Sequence, residues 1–467
     1  MTPAASELDP ADIRVVALPT ADPLQSPWLS RELVEKYLIF DAFVAGERRV
    51  NLHPLVLSPR LHAAAVHAAT AVVRAIGAVA AQAHADPAER ERYGLPASIM
   101  RLAAAAQAAG DDAALMRVDL LLGADGVFRA CEINADCPGG HNEATGLPRL
   151  AQSAGFWQGL NPTTVLEELT SRLVALADRP GPGRGAVALL YATAYAEDLQ
   201  VCALIERALR ERGVRTRRCP ATAPRWQGDA VYVSDTAVAA LYRFFPLEYM
   251  EGQRNLEGLL TAVASRRLKT LSSFSHIYAQ SKLAFARGFA LRDRLSPADA
   301  FTLARHTPLS VEVAELTPET LRAEREGWVL KRALGRVGDE VFVGALLTDA
   351  DWASLLQAVA AAVHGPAQER WIAQRFVPQK SLATPLGDML VTLGAYVLDG
   401  RFVGYFARLS PHSHVSHDAL CVPVFVGLPG PAAGSAVPWT QQSQQCPALP
   451  SGPERRSGPG KGPGEDR

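Results

Sequence analysis

Four polar residues interrupt two otherwise apolar runs in MRVDLLLGADGVFRACEINADCPGG (116–140): Arg117 and Asp119 in the first, Glu132 and Asn134 in the second. Successive strand side chains point to opposite faces, so residues two apart share a face. Two carboxylates and an amide on one face make a hard oxygen site. Mg²⁺, or Mn²⁺ in its place, takes such ligands, with water and substrate phosphate completing the shell. Arg117 beside them would draw the carboxyl pKa values down and could fork onto a phosphate. An exposed sheet face with an Arg–Glu cross-strand pair is the plain structural alternative. The abrupt Pro138-Gly139-Gly140 that follows suits a loop shaped around a ligand.

For the four to share a face, the runs must form a hairpin of matching parity. Asp125-Gly126 between apolar alternations is a strong hairpin signal. A two-residue loop at 124–125 sets Arg117 opposite Glu132; one at 125–126 sets Asp119 there instead. Either register leaves Met116, Val118, Leu120, Leu122, Val127, Cys131 and Ile133 on the other face, available to a core. A three-residue loop would break this agreement, so the reading requires an even loop.

A second chemical element lies in WVLKRALGRVGDEVFVG (328–344), where Lys331 precedes Gly335, Gly338 and Gly344. Glycines let backbone N–H groups approach phosphate oxygens, and a lysine adds a point charge. There is no GK[ST] and no strand-to-helix transition, so this is a glycine hairpin lying over a triphosphate rather than a P-loop. Lys282, in YAQSKLAFA, falls in a helical run where a solvated lysine is the ordinary expectation. An oxygen site in one half and a glycine loop with lysines in the other both suit a nucleotide triphosphate, with the metal neutralising charge between them.

The elements that must position these groups read as follows. A chain of 467 residues supports two or three domains, and 48% hydrophobic content is enough for a sizeable core. A net charge of −1 gives no support for a nucleic-acid partner. The cysteines at 131, 137, 202, 219, 421 and 446 show no CxxC spacing, which argues against zinc and against a disulfide framework. The N-terminus lacks a signal peptide pattern, and the apolar stretch 61–85 is broken by His62, His67 and Arg74. A cytoplasmic protein without a membrane span is expected.

Residues 1–180 read as a helical N-terminal region plus the hairpin. Residues 186–268 alternate strand and helix, with DAVYVS (229–234) as one strand, and predict a small parallel α/β unit. Residues 270–428 read as α+β with antiparallel strands: the glycine hairpin, RWIAQRFVP (370–378), a hairpin about Asp399-Gly400, and ALCVPVFVG (419–427). Residues 429–467 are dominated by Pro, Gly, Ser and Gln and are expected to be a disordered tail.

The sequence resembles the circularly permuted ATP-grasp proteins that include glutathionylspermidine synthase. The resemblance spans roughly 114–427 and rests on MRVDLLLGADGVFRACEINADCPGG, YRFFP (242–246), QSKLAFA (280–286), WVLKRALGRVGDEVFVG and RWIAQRFVP. It implies an α/β and α+β fold, a permuted ATP-grasp with a small Rossmann-like pre-ATP-grasp subdomain at 186–268. As in that family, the acidic element precedes the ATP-binding lysines. By this resemblance Asp119, Glu132 and Asn134 ligate Mg²⁺, and Arg117 holds the transferring phosphate. Lys282 and Lys331 bind ATP phosphates under a lid at 335–344 that includes Gly335 and Gly338. Gln374 lies near the adenine, and Arg408, in FARLS, near the reaction centre. The activity implied is a carboxylate–amine ligase acting through an acyl phosphate, with a small-molecule or peptide carboxylate and an amine as substrates.

Nothing in the chain matches an amidase domain, so neither glutathione nor spermidine is indicated as substrate. A non-catalytic nucleotide-binding protein working in a complex is the alternative, against which the intact metal ligands argue. A protein-kinase mechanism is excluded by the absence of HRD and DFG elements. His141 and His276 are the candidate general bases, and His412, His414 and His417 form a polar loop.

Overall fold

Helix α1 (Pro59–Ala85) opens where Ser58 caps it, its hydroxyl accepting the N–H of Leu61 at 3.1 Å, with Pro59 pre-set for the first turn. The computed structural model describes residues 12–19, 23–40, 42–44, 46–335, 340–366, 368–413 and 419–427. Gly338, His414, His417 and the tail expected at 429–467 lie outside the described residues. By length and composition α1 could cross a membrane. Its stripe of Leu61, Ala65, Ala68, Val72, Ala75, Ile76, Val79 and Ala83 is instead fully buried at helical spacing. That stripe covers strands β1 (Leu115–Leu122) and β2 (Phe128–Asn134), the expected hairpin.

The hairpin departs from the even loop. Gly123 and Val127 close it, with the Gly123 N–H donating to the Val127 carbonyl at 3.0 Å, and three residues lie between them. Gly126 takes φ +75°, the left-handed position that such a loop needs. Near the turn Leu122 therefore faces Phe128 and Leu120 faces Ala130. Continued at that register, Glu132 would face Val118 and point into the core. A β-bulge at Cys131 inserts one residue and restores the parity, so that Asp119 faces Glu132 and Arg117 faces Asn134. The core side of β2 is thus Phe128, Ala130 and Ile133, rather than Val127 and Cys131.

After β2 the chain enters α2 (His141–Ser153) and then a parallel sheet. This sheet contains β3 (Ala186–Tyr191), followed by helix α3 (Ala196–Glu211), β4 (Arg215–Cys219), β5 (Ala240–Phe244) and β6 (Lys269–Leu271), in the order β6-β5-β3-β4. Ala186 to Leu190 are all fully buried, as a parallel strand covered on both faces requires. The strand expected at 229–234 is real but lies elsewhere. Ala230–Val233 pairs antiparallel with Arg225–Gln227 and Thr236–Val238, because Ser234 at φ +54° allows a tight turn rather than a crossover. The parallel strand is β5, which runs into YRFFP.

Two short helices, α4 (Ile277–Gln280) and α5 (Leu283–Ala290), carry the chain to a second antiparallel sheet. Its strands are β7 (Ser310–Glu312), β8 (Trp328–Arg332), β9 (Val341–Val343) and β10 (Trp371–Arg375), in the order β7-β10-β8-β9. Helix α6 (Asp349–His364) packs Trp352, Leu356 and Val359 against Trp328, Leu330 and Trp371. The hairpin about Asp399-Gly400 then returns to the first sheet. Its strands β11 (Gly387–Leu398) and β12 (Arg401–Ser410) lie beside β1, and β13 (Leu420–Val422) completes the order β13-β12-β11-β1-β2.

Candidate active site

The face of this sheet opposite α1 carries the polar residues. One row across it runs Glu132, Asp119, Gly394 and Phe406; the next runs Asn134, Arg117, Tyr396 and Gly404. Asp119 binds two arginines. Its Oδ1 accepts Arg117 Nε at 2.7 Å, and its Oδ2 accepts Arg117 Nη2 at 2.9 Å and Arg408 Nη2 at 2.7 Å. Arg117 also donates to the Gly139 carbonyl at 3.0 Å, which Tyr396 OH reaches as well. Both guanidinium groups lie by the Phe406 ring, at 5.3 and 5.4 Å from its centroid. Gly394 makes this possible: a Cβ there would stand 2.8 Å from the Phe406 carbonyl, 2.9 Å from Arg117 Cδ and 3.1 Å from Asp119 Oδ1.

Glu132 is approached by a lysine from the turn before α5. Lys282 Nζ lies 3.5 Å from its Oε2, and Asn134 Nδ2 donates to its Oε1 at 3.0 Å. Burial pushes the Glu132 carboxyl up, but the Lys282, Lys331 and Arg117 charges outweigh it and hold the group well below the usual carboxylate range. Lys331 donates to Gln374 Oε1 at 2.7 Å and to the carbonyl of Cys131 at 2.9 Å. That carbonyl belongs to the bulge residue, so the bulge both turns Glu132 outward and supplies a ligand to the lysine. Burial pushes the Lys331 pKa down, with Cys131 and Glu132 only partly offsetting it. Lys282 is buried rather than solvated: it precedes α5, donates from Nζ to the Gly335 carbonyl at 2.7 Å, and ties its own N–H to Ala333 at 2.8 Å. Gln374 is buried on β10 and donates to Ser310 Oγ at 3.1 Å.

The contacts form three groups, Arg117 and Arg408 on Asp119, Asn134 and Lys282 on Glu132 with Lys282 also reaching Gly335, and Lys331 on Gln374, while Gly338 lies outside the described residues. Four cations (Arg117, Lys282, Lys331, Arg408) meet two carboxylates (Asp119, Glu132), an excess of two positive charges suited to a polyanion. No group of three or more His, Cys, Asp or Glu side chains stands together among the described residues. The oxygen set of Glu132, Asn134 and Asp119 matches a cation that keeps water and phosphate in its shell, as Mg²⁺ does. Asp119 would share its remaining lone pairs with the two arginines.

Both candidate general bases, His141 and His276, have their pKa lowered by burial. His141 is fully buried among Tyr242, Phe244 and Tyr396; burial, helped by Arg117, pushes its pKa down to about 3. His276 Nε2 meets the Asp112 carbonyl at 2.9 Å, and burial lowers its pKa too. Sequence reasoning missed Gly394, Tyr396 and Phe406. A glycine inside the strand run TLGAYV was the one available signal. It also missed an ion-pair cluster between the starts of α2 and α3, where Arg49 Nη2 lies 3.6 Å from Oε1 of the buried Glu143 and 3.8 Å from Oε1 of the more exposed Glu197. Burial raises the Glu143 carboxyl despite Arg49.

The family described as glutathionylspermidine synthase preATP-grasp matches residues 60–426. Among solved structures, the chain is similar to a glutathione synthetase like-effector (GSS30) from Globodera pallida in its apo form. That likeness has a TM-score of 0.54 at 13% identity and covers 87% of this chain and 98% of that one. A putative gamma-glutamylcysteine synthetase from Methylobacillus flagellatus KT aligns at TM-score 0.37 and 14% identity, over 68% of this chain and 80% of that one. D-alanyl-alanine synthetase A from Vibrio cholerae O1 aligns at 0.32 and 12%, over 49% and 68%. No curated protein sequence matches.

Proposed function

The chain belongs to the glutathionylspermidine synthase pre-ATP-grasp family, and from that premise we propose that it is an ATP-dependent ligase joining a carboxylate to an amine through an acyl phosphate, with release of ADP and phosphate. The observation that carries this reading is the convergence of Arg117, Arg408, Lys282 and Lys331 on one oxygen-bearing sheet face.

A carboxylate is a poor acyl donor until phosphorylated, and the charge that develops in phosphoryl transfer demands fixed cations. Lys282 and Lys331 reach this face from the glycine-loop side and would hold the β- and γ-phosphates. Arg117 and Arg408 are aimed by Asp119 and would hold the substrate carboxylate and the phosphoryl group moving onto it. Their side chains are held by hydrogen bonds and by the Phe406 ring, so little reorganisation is needed at the moment of transfer. Glu132 and Asn134, with Asp119, would hold Mg²⁺, which when bound neutralises triphosphate charge. Gln374 would border the nucleotide base, beside Lys331. An amine arriving neutral needs no strong base, in keeping with the low pKa of His141.

Chromatography of the nucleotide product tests the reading, using a panel of small carboxylates and amines. ADP is expected, and hydroxylamine should yield a hydroxamate before any amine is supplied. AMP as the main product would reject the acyl-phosphate mechanism.

A further inference from the structure

YRFFP and QSKLAFA take no direct part in the chemistry above beyond Lys282, yet the structure joins them at one point. Where β2 leaves the sheet after Asn134, the next two backbone N–H groups, of Ala135 and Asp136, both donate to the side-chain oxygen of Gln280, at 2.7 and 2.9 Å. Gln280 is buried and ends α4, two residues before Lys282. On the other side Asp136 is held by the parallel-sheet unit. Its Oδ2 accepts the Leu247 N–H at 2.9 Å, and it pairs with the fully buried Arg243. Arg243 in turn donates to the carbonyls of Phe245 at 2.7 Å and Ser272 at 3.3 Å, over the Phe274 ring.

We propose that Gln280 is a positioning residue that sets the distance between the metal-facing strand end, Glu132 and Asn134, and the phosphate-facing Lys282. The proposal rests on the ligase reading. One oxygen receives two backbone donors from the strand that carries the oxygen ligands, while the main chain of the same turn carries the lysine. An apolar side chain of similar size would fill the space but leave two buried N–H groups without an acceptor, and the strand end would shift. Outer groups that orient metal ligands affect metal affinity by about 10- to 100-fold. The metal-dependent part of ATP affinity should carry the effect, because it alone needs Glu132, Asn134 and Lys282 in register.

The test is calorimetry of ATP binding to the full chain, with Mg²⁺ and with EDTA. For Gln280→Met, affinity in Mg²⁺ should fall by about 10-fold or more, while affinity in EDTA stays within about threefold of wild type. Gln280→Glu keeps an acceptor oxygen at the same reach and should recover most of the loss. A purely structural role would lower both affinities together. Unchanged Mg²⁺-dependent affinity in Gln280→Met, or an equal loss in Gln280→Glu, overturns the proposal. If the variants do not fold, hydrogen exchange on the wild type decides. Peptides covering 131–137 and 277–284 should gain protection together when Mg²⁺ and ATP are added, and protection of one without the other overturns the coupling. A wild type whose ATP affinity ignores Mg²⁺ overturns the ligase reading itself, and this proposal with it.

Discussion

Replacing Asp119 by Asn should destabilise the protein by about 3 kcal/mol, through the arginines it leaves behind. The side chains of Arg117 and Asp119 are only 9% and 4% exposed, and that of Arg408 18% exposed. These values decide which regime applies. Exposed ion pairs contribute about 0–1 kcal/mol. Removing one partner of a buried pair costs about 3–5 kcal/mol, because a charge remains in low dielectric without a counter-charge. Asparagine keeps the shape and one acceptor oxygen, so Arg117 retains a hydrogen bond and the lower end of that range applies. Urea unfolding at neutral pH, followed by circular dichroism, measures the loss, with an unchanged m value confirming the same unfolding reaction. In an Arg117→Met background the same substitution should cost markedly less, since one stranded cation is gone; the difference is the coupling energy. A loss below about 1 kcal/mol, or an equal loss in both backgrounds, would refute the buried clamp. Turnover should fall further than stability, because both arginines lose their aim.

Glu132→Gln should flatten acid sensitivity. The wild-type carboxyl is held below its ordinary value of 4.5, so its contribution is complete above that pH and is lost as pH falls toward about 2; urea midpoints across this window should fall less steeply in the variant, and parallel curves would contradict the assignment. Gly394→Ala should cost about 1–3 kcal/mol, since its Cβ meets the rigid Phe406 carbonyl at 2.8 Å, and should weaken substrate-dependent ADP release through Arg117; a variant with wild-type melting and turnover would show that the strands part freely. Cys131→Ala should keep nucleotide binding within a few-fold of wild type, because what residue 131 supplies is backbone, the bulge and the carbonyl that accepts from Lys331; loss of nucleotide binding in calorimetry would show that the thiol itself takes part.

The four polar residues at 117, 119, 132 and 134 were legible because strand parity is a local rule, and the apolar partners at Val118, Leu120 and Ile133 point the other way. The loop was not legible. Gly123 to Val127 is compatible with two or three central residues, and only the pairing beyond it shows that Cys131 absorbs the difference. Two errors, an even loop and no bulge, therefore cancelled in the final register. Lys282 shows a different limit. Its helical pattern suggested a solvated side chain, but burial there depends on Gly335 and Glu132, both distant in sequence. The antiparallel ribbon at 225–238 was hidden because a Ser-Asp turn at 234–235 is a weaker signal than Asn-Gly, so the parallel strand was placed ten residues too early, before YRFFP. The clamp on Asp119 also escaped the sequence, since Arg408 and Gly394 reach it only through the pairing of β11 with β1 and β12. That pairing has a consequence for the chemistry. Asp119 holds both arginines, whereas Glu132 and Asn134 hold neither and, on the proposed reading, would be left to face the cation. The charge of Asp119 is thus what lets two guanidinium groups stand side by side over Phe406, and the charge of Glu132 is what keeps Lys282 at the same site. On the proposed ligase reading, Asp119 would serve the carboxylate-binding side of the centre and Glu132 the nucleotide side.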